Sequence, residues 1–272
     1  MGANQPLAGR TALVTGLSRR IGIGYAIVAR LLDDGASVFA TGWSAHDAEM
    51  PWGPDPFDAD GHPFVDASDD GHDRFAYAEA DLADPDAPSR LVDAAVERFG
   101  AIDIVVANHA RSSHTNLAEV TPDELDACWA VNARASVLLA QALDRAHDGS
   151  RPGGRLVLFT SGQDFGPMDN EIAYAISKGA IHQMTASLAN AVADKGITVN
   201  TINPGPVDTG YASGTMHAAV AQAFPAKRWG RPDDVARLVA WLVSDEAGWI
   251  NGQVINSEGG WRRWEVGRHR RD

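Results

Sequence analysis

The sequence predicts an α/β protein in which seven parallel strands form one doubly wound sheet with helices on both faces. Short apolar, β-branched runs alternate with segments of helical periodicity along most of the 272 residues. Strands that are apolar throughout their length are typical of a parallel sheet, because helices cover both of its faces. No linker separates the predicted strands, so we expect a single domain over residues 1–272.

The predicted strands and helices follow one another regularly. The strands are TALVTG, ASVFATG, FAYAEADL, IDIVVANHA, GRLVLFTSG, ITVNTINPG and GQVINSEGG. Helices are expected over about 24–32, 89–100, 125–146, 173–194 and 232–246.

Two segments depart from this alternation. Residues 45–74 carry nine acids, four prolines and one arginine, so we expect a long acidic loop that replaces or precedes a helix. Three histidines lie in this loop, but their spacing matches no ligand pattern, and we predict no metal site. The C-terminal segment, residues 261–272, is basic; we expect it to fray, with packing against another subunit as the alternative.

Composition narrows the class of protein. A net charge of −13 argues against nucleic acid or an anionic membrane as a partner, since both need positive surface. The single cysteine, Cys128, excludes an internal disulfide, and no apolar run approaches the roughly 18 residues of a membrane span. The first ten residues contain no apolar signal region. We therefore expect a cytoplasmic protein.

The first strand leads into the glycine-rich loop VTGLSRRIGIG. Such a turn between a strand and a helix lets the backbone approach a pyrophosphate, and the helix N-terminus supplies N–H groups and a positive dipole end. Gly16, Gly22 and Gly24 are placed for this role. The loop predicts a Rossmann-type nucleotide site.

The segment YAISK, residues 174–178, opens a later predicted helix. Tyr174 and Lys178 are four residues apart and so share one helix face. A neighbouring cation favours the phenolate and lowers the pKa of a tyrosine, which suits a proton donor. A packed tyrosine with a lysine at the helix rim is the alternative for this pair alone.

From about residue 9 to residue 260 the chain resembles the short-chain dehydrogenase/reductase family. That family carries T-G-x3-G-x-G after its first strand, N-N-A-G after its fourth, an asparagine in the next helix, a serine thirteen residues before Y-x-x-x-K, and then a P-G stretch. Here Asn132 lies in AVNARA, Ser161 lies thirteen residues before Tyr174, and NPGPVDT covers 203–209.

The chain departs from the family pattern in two places. Five residues separate Gly16 from Gly22 where the family has three, which indicates a remodelled phosphate loop. ANHA, residues 107–110, replaces N-N-A-G; it keeps Asn108 and puts Ala110 where the family has glycine.

The resemblance implies hydride transfer with acid catalysis. Reduction of a ketone builds negative charge on its oxygen, which must be stabilised and protonated. By resemblance, Tyr174 is the general acid, and Lys178 supplies positive charge and binds the nicotinamide ribose. Ser161 donates a hydrogen bond to the carbonyl oxygen, and Asn132 holds a water that connects the lysine to solvent.

The resemblance also implies a set of coenzyme contacts. The Val207 backbone and the Thr209 side chain would hold the carboxamide, and Asp81 would meet the adenine, although Asp81 as a helix cap and Thr209 as a turn residue stay open. The expected cofactor-binding residues are Gly16, Ser18, Arg19, Arg20, Gly22, Ile23, Asp81, Leu82, Asn108, Tyr174, Lys178, Pro204, Gly205, Val207 and Thr209.

The expected coenzyme is NADP(H). NAD-specific sites place an acid at the end of the second strand, whereas residues 40–44 contain no carboxylate. A 2′-phosphate should therefore meet no repulsion there. Arg19 and Arg20 suit its oxygens, and which of them reaches it is left open. We expect at least about tenfold preference for NADPH, most of it lost when both arginines are replaced by alanine.

Three functions remain open at this stage. The first is an NADPH-dependent ketone reductase, resembling the 3-oxoacyl-[acyl-carrier-protein] reductase branch and acting on a small-molecule or acyl-thioester carbonyl. The second is a dehydrogenase that oxidises a secondary alcohol, and the third is a nucleotide-binding regulator without catalysis. Fold alone cannot choose a substrate.

The segment after the P-G motif resembles the family's variable lid. Its expected apolar wall is Tyr211, Met216, Phe224 and Trp229; Gln163, Asp164 and Glu171 would add polar contacts, and Arg151 and Lys195 would receive an acidic carrier protein. The helix over 122–146 and the Tyr174 helix resemble those that join subunits in this family. We expect a homotetramer, or failing that a dimer.

Overall fold

The computed structural model describes residues 5–50, 53, 55, 73–151 and 153–263. These residues form one sheet of seven parallel strands in the order β3-β2-β1-β4-β5-β6-β7, which confirms the predicted fold class. The strands are β1 Thr11–Thr15, β2 Ser37–Thr41, β3 Phe75–Tyr77, β4 Ile104–Ala107, β5 Arg155–Phe159, β6 Thr198–Asn203 and β7 Val254–Asn256.

Helices cover both faces of the sheet, as predicted. The helices are α1 Ile23–Asp33, α2 Ser44–Glu49, α3 Ala87–Phe99, α4 Pro122–Cys128, α5 Ala135–Ala146, α6 Ile172–Val192, α7 Gly214–Ala223 and α8 Pro232–Val243. One apolar core lies between the sheet and α1 with α8, and a second lies between the sheet and α3, α5 and α6. Continuous burial on both faces explains why the strands are apolar throughout their length.

The helix predicted over 125–146 is divided into three parts. A π-helical turn, Trp129–Arg134, joins α4 to α5. Within it the Asn132 carbonyl accepts a hydrogen bond from Ser136 Oγ at 2.7 Å. Single π turns inside α-helices occur often at functional sites, and Asn132 is one of the predicted site residues.

A short helix occupies the start of the predicted acidic loop. Helix α2 begins at Ser44 and ends at Glu49, so the expectation of an unstructured segment from residue 45 was wrong at that end. Residues 51, 52, 54 and 56–72 lie outside the described residues, and with them His62 and His72. Across the described part of the chain, no group of three or more His, Cys, Asp or Glu side chains is arranged to hold a metal ion. Among the described helices, none combines the length and apolar character needed to cross a bilayer.

The described part of the basic tail packs onto the molecule rather than fraying. The Trp261 ring stacks near Phe224, with centroids 6.2 Å apart, and the Arg262 N–H donates to the Ala223 carbonyl at 3.1 Å. The Arg263 guanidinium donates to the carbonyls of Gly162 and Gly166. Residues 261–263 thereby join the end of α7 to the turn that follows β5. Residues 264–272 lie outside the described residues.

Candidate active site

The predicted site residues gather where the carboxyl ends of β1, β4, β5 and β6 meet. The strand order reverses between β1 and β4, and ligands of open α/β sheets bind in the crevice at this switch point. A cleft of about 540 Å³ opens there. Predicted cofactor-binding residues that line it are Gly16, Ser18, Arg19, Gly22, Ile23, Asp81, Leu82, Asn108 and Thr209, whereas Arg20, Tyr174, Lys178, Pro204, Gly205 and Val207 do not.

The glycine loop crosses closely over the end of β4. Gly16 has φ +79°, and a Cβ added there would lie 2.8 Å from the Asn108 amide nitrogen. A Cβ on Gly24 would overlap the Gly16 carbonyl oxygen. Asn108 Nδ2 donates to the carbonyls of Thr15 and Gly16 at 3.2 and 3.3 Å. These positions therefore need glycine, and the tight crossing leads directly into α1.

The cleft fits the pyrophosphate of a dinucleotide. Helix α1 begins at Ile23, and its N-cap, Gly22, has no side chain to occupy the first N–H groups. Both Gly22 and Ile23 line the cleft. Amide donors and the positive end of an 11-residue helix are what an anion requires at such a place.

His109 is a site residue that sequence reasoning missed. It is buried at the end of β4, and its Nε2 lies 2.9 Å from the Val131 carbonyl. A carbonyl only accepts, so Nε2 carries the proton and Nδ1 accepts from the Thr15 hydroxyl at 2.6 Å. Burial, and then the charge of Lys178, lower the pKa of His109 to about 3. The histidine in ANHA, where the family has alanine, was the available signal.

Ser161, Tyr174 and Lys178 come together at the end of β5. Ser161 precedes the 3₁₀ turn Gly162–Phe165, and its side chain hydrogen-bonds to the Tyr174 phenol. Lys178 is buried; its Nζ donates to the Phe159 carbonyl at 2.9 Å and lies 5.7 Å from the centroid of the Tyr174 ring. Both residues of the pair project from the first turns of α6, as their spacing predicts.

Asn132 joins the same cluster from the π-helical turn. Its Oδ1 accepts from the Arg111 N–H at 2.7 Å, and its Nδ2 donates to the Arg111 carbonyl at 3.0 Å and to Ser177 Oγ at 2.9 Å. Both amide hydrogens are therefore used by the protein. Asn132 ties the loop after β4 to α6 beside Lys178.

The acidities in this cluster differ from the expectation. Burial raises the pKa of Tyr174 to about 12, and the Ser161 hydrogen bond offsets only part of this effect. The predicted lowering by Lys178 was wrong for this structure, because burial disfavours the phenolate more strongly. Burial also lowers the pKa of Lys178 to about 8. The phenol is thus protonated at neutral pH, as a proton donor must be.

The end of β2 is more acidic than its own residues suggest. Glu79, from the segment after β3, accepts the Ser44 N–H at 3.0 Å. Parallel pairing of β2 with β3 thus brings a carboxylate from the segment after β3 next to Ser44, although residues 40–44 themselves carry none. The two arginines of the glycine loop each make a contact within the protein. The Arg19 guanidinium donates to the Thr209 carbonyl at 2.9 Å, and the Arg20 backbone N–H donates to Asp55 at 2.5 Å.

The predicted substrate wall is only partly at the surface. Phe224 and Trp229 are buried in a cluster with Val220, so they pack beneath the segment after the P-G motif and do not form an exposed wall, contrary to expectation. Tyr211 and Met216 are about half exposed. The Tyr211 ring packs edge-on against Trp229, with centroids 5.6 Å apart.

The two residues expected to receive a carrier protein lie at the opposite edge of the sheet. Arg151 binds Asp103, just before β4, at 2.7 Å, and also the Gly9 carbonyl, before β1. Lys195 pairs with Asp144 and precedes β6. Both residues are held at the amino ends of the strands, away from Tyr174, so the expected landing surface was wrong.

Comparison with known proteins agrees with this geometry. The family described as enoyl-(acyl carrier protein) reductase matches residues 55–262. The chain is 36% identical over 255 residues to the uncharacterized oxidoreductase YjdA of Bacillus subtilis, covering 93% of the chain and 97% of the relative. A short-chain dehydrogenase from Burkholderia cenocepacia, solved in complex with NADP, is 35% identical with a TM-score of 0.77, covering 94% of this chain and 98% of that one. The chain belongs to the short-chain dehydrogenase/reductase family.

Another short-chain dehydrogenase/reductase relative carries a specific name. The chain is 35% identical over 274 residues to versicolorin reductase stcU of Emericella nidulans, covering 94% of the chain and 97% of the relative. The resemblance seen in the sequence is thereby confirmed. The protein is an oxidoreductase of this family, whose members use NAD(P).

Proposed function

We propose that this protein reduces a ketone to a secondary alcohol with NADP(H). The observation that carries the proposal is the cluster of Ser161, Tyr174 and Lys178 at the carboxyl edge of the sheet, beside a cleft that fits a dinucleotide. A bound nicotinamide coenzyme would supply the hydride. Side chains of this protein would donate the proton and stabilise the developing negative charge.

Tyr174 donates the proton. Its phenol is protonated at neutral pH because burial raises its pKa to about 12, and the oxygen of a ketone that receives a hydride becomes a strong base. Ser161 is placed to donate to the same oxygen, as a preorganised donor for the developing charge. The buried Lys178 adds positive charge, and Asn132 holds α6 and the loop after β4 in register around it.

Near neutral pH the protonated phenol of Tyr174 is ready for the reductive step, whereas alcohol oxidation would be expected to need a higher pH. Oxidation of an alcohol needs a base to accept the hydroxyl proton, and a phenol with a pKa of about 12 is rarely ionised near neutrality. Reduction needs the protonated form that is already present. The dehydrogenase alternative is therefore the second candidate.

For the coenzyme, we infer NADP(H) with Arg20 as the reader of the 2′-phosphate. Arg19 is directed to the Thr209 carbonyl, whereas Arg20 is exposed at the outer side of the glycine loop. The Burkholderia relative solved with NADP supports this choice. Gly16, Gly22 and Ile23 would hold the pyrophosphate, and Asp81 with Leu82 would lie beside the adenine.

The surroundings of Tyr174 favour a free cyclic ketone over a carrier-bound thioester. The half-exposed ring of Tyr211 lies near Tyr174, and Phe165 is half exposed on the turn after Ser161. Flat aromatic surfaces of this kind suit a ring-shaped substrate, and the similarity to versicolorin reductase stcU points the same way. The basic residues expected to dock a carrier protein lie at the far edge of the sheet.

The test is NADPH oxidation over a panel of hydroxylated aromatic ketones, quinones, simple cyclic ketones, keto-sugars and an acetoacetyl thioester. We expect turnover with the ring ketones or quinones. Ser161→Ala should lower kcat by about 10²-fold, whereas Ser150→Ala, at an exposed turn beyond α5, should not.

Normal coenzyme binding without turnover of any carbonyl compound would contradict the proposal. Turnover of the thioester alone would restore the acyl-carrier-type substrate.

A further inference from the structure

Glu79 brings a carboxylate to the end of β2. The pairing of β2 with β3 continues past both strands, since the Ala80 N–H donates to the Gly42 carbonyl at 3.1 Å. Glu79, immediately before Ala80, accepts the Ser44 N–H on its Oε1 at 3.0 Å. Burial, and then the nearby charge of Glu79, raise the pKa of the Tyr77 phenol. The carboxylate is therefore held beside residues 42–44.

The side chains at the end of β2 determine which coenzyme a dinucleotide site accepts. An acid there binds the 2′-hydroxyl of the adenosine ribose in NAD, whereas a basic group accommodates the 2′-phosphate in NADP. Trp43, next to Ser44, lines the cleft together with Asp47 and Glu49, whereas Glu79 is not a lining residue and is joined to this wall through the Ser44 N–H. These carboxylates make the region around Glu79 electrostatically negative.

We propose that Glu79 is the residue that selects between the coenzymes, acting against the 2′-phosphate of NADP(H) and accepting a ribose hydroxyl of NAD(H). From the segment after β3, it takes the place of the acid that other sites carry on β2. The coenzyme preference of this protein is then a balance between Arg20, which favours the phosphate, and Glu79, which disfavours it. This inference rests on the dinucleotide site of the proposed function.

The test is Glu79→Gln, which keeps the length of the side chain and an acceptor oxygen but removes the charge. We expect the ratio of kcat/KM for NADPH to that for NADH to rise about tenfold, the order of one like-charge contact that water largely screens. Calorimetry on the full chain should show tighter binding of 2′,5′-ADP, with affinity for 5′-AMP unchanged or lower. Glu79→Lys should raise two ratios further: the ratio of kcat/KM for NADPH to that for NADH, and the ratio of the affinity for 2′,5′-ADP to that for 5′-AMP.

Glu97→Gln is the matched control, because it makes the same charge change at an exposed position on α3 away from the cleft. It should leave both ratios within about twofold of the original protein. Raising the salt concentration should shrink the difference between Glu79→Gln and the original protein, since salt screens exposed charges.

Unchanged ratios in both Glu79 variants would overturn the proposal. So would an equal loss of 2′,5′-ADP and 5′-AMP affinity, which would mark Glu79 as a structural support of the loop only. Failure of the original protein to bind either nucleotide is a different result, because it would contradict the dinucleotide site itself.

Discussion

The Tyr174 hydroxyl is the group on which the proposed chemistry depends most. Tyr174→Phe removes the proton donor and keeps the ring that packs near Lys178. We expect kcat to fall by roughly 10²–10⁴-fold, while the Kd for NADPH, measured by fluorescence titration, stays close to that of the original protein. Tyr211→Phe, which removes the neighbouring hydroxyl at the mouth of the site, should cost far less. A Tyr174→Phe variant with near-normal turnover would refute the mechanism.

His109 makes the fold sensitive to acid. Its pKa in the folded protein is about 3, against about 6.5 in an unfolded chain. Between these pH values the unfolded chain binds one more proton at this residue than the folded protein does. The free energy of unfolding must therefore fall as the pH drops below about 6.5.

His109→Gln tests this contribution. Glutamine can hydrogen-bond but does not titrate, so the variant should lose less of its Tm between pH 7.5 and pH 5 than the original protein loses, even if it is less stable at pH 7.5. His114→Gln provides the control, because it makes the same substitution at a histidine whose side chain is 73% exposed. Equal Tm losses in His109→Gln and the original protein would show that protonation of other groups causes the loss of stability at low pH.

At the scale of elements, the segment 261–263 joins α7 to the turn after Ser161. The Arg263 guanidinium donates to the carbonyls of Gly162 and Gly166 and also stacks over Trp261, 4.9 Å from its ring centroid. Trp261 in turn contacts Phe224 at the end of α7. The shape of the substrate side of the site therefore depends on this short segment.

Arg263→Gln should loosen that connection. We expect the KM for the carbonyl substrate to rise by about tenfold, since a charge-assisted hydrogen bond contributes roughly 1.5–3 kcal/mol. The Kd for NADPH should change little, because Arg263 does not line the coenzyme cleft. Arg145→Gln, an exposed arginine on α5, should alter neither value. An equal rise in substrate KM and coenzyme Kd would contradict this division of roles.

At the scale of the whole molecule, two groups of exposed apolar side chains bear on assembly. Trp129, Val137 and Ile176 lie on the π-helical turn, α5 and α6, and each is at least 41% exposed. Trp249, just before β7, is 98% exposed, and Trp241 on α8 is 40% exposed. Exposed apolar patches mark interaction surfaces, and two separate self-complementary surfaces generate a tetramer with dihedral symmetry.

We therefore predict a homotetramer, with a light-scattering mass near four times the 28.9 kDa of one chain. Ile176→Glu should reduce the mass to that of a dimer, because a charge would be buried at one of the two surfaces. Glu97→Gln, away from both surfaces, should remain a tetramer. A monomeric mass for the original protein at micromolar concentration would rule out this assembly.

Local patterns in the sequence determined the family, the fold class and the predicted catalytic residues. The seven strands, the glycine loop and the Ser161–Tyr174–Lys178 spacing depend on residues that are near each other along the chain or follow a fixed period. Such features can be read without coordinates because backbone geometry alone converts spacing into position.

Only the tertiary structure decided how the site is charged and supported. Glu79 lies beside Ser44 through strand pairing, Arg19 turns to Thr209, and Arg263 closes onto Gly162 across about a hundred positions of sequence. The pKa of Tyr174 is raised because burial outweighs the hydrogen bond from Ser161, which lies thirteen residues earlier in the chain. Electrostatics and desolvation act through space, so their balance depends on which distant segments the fold brings together.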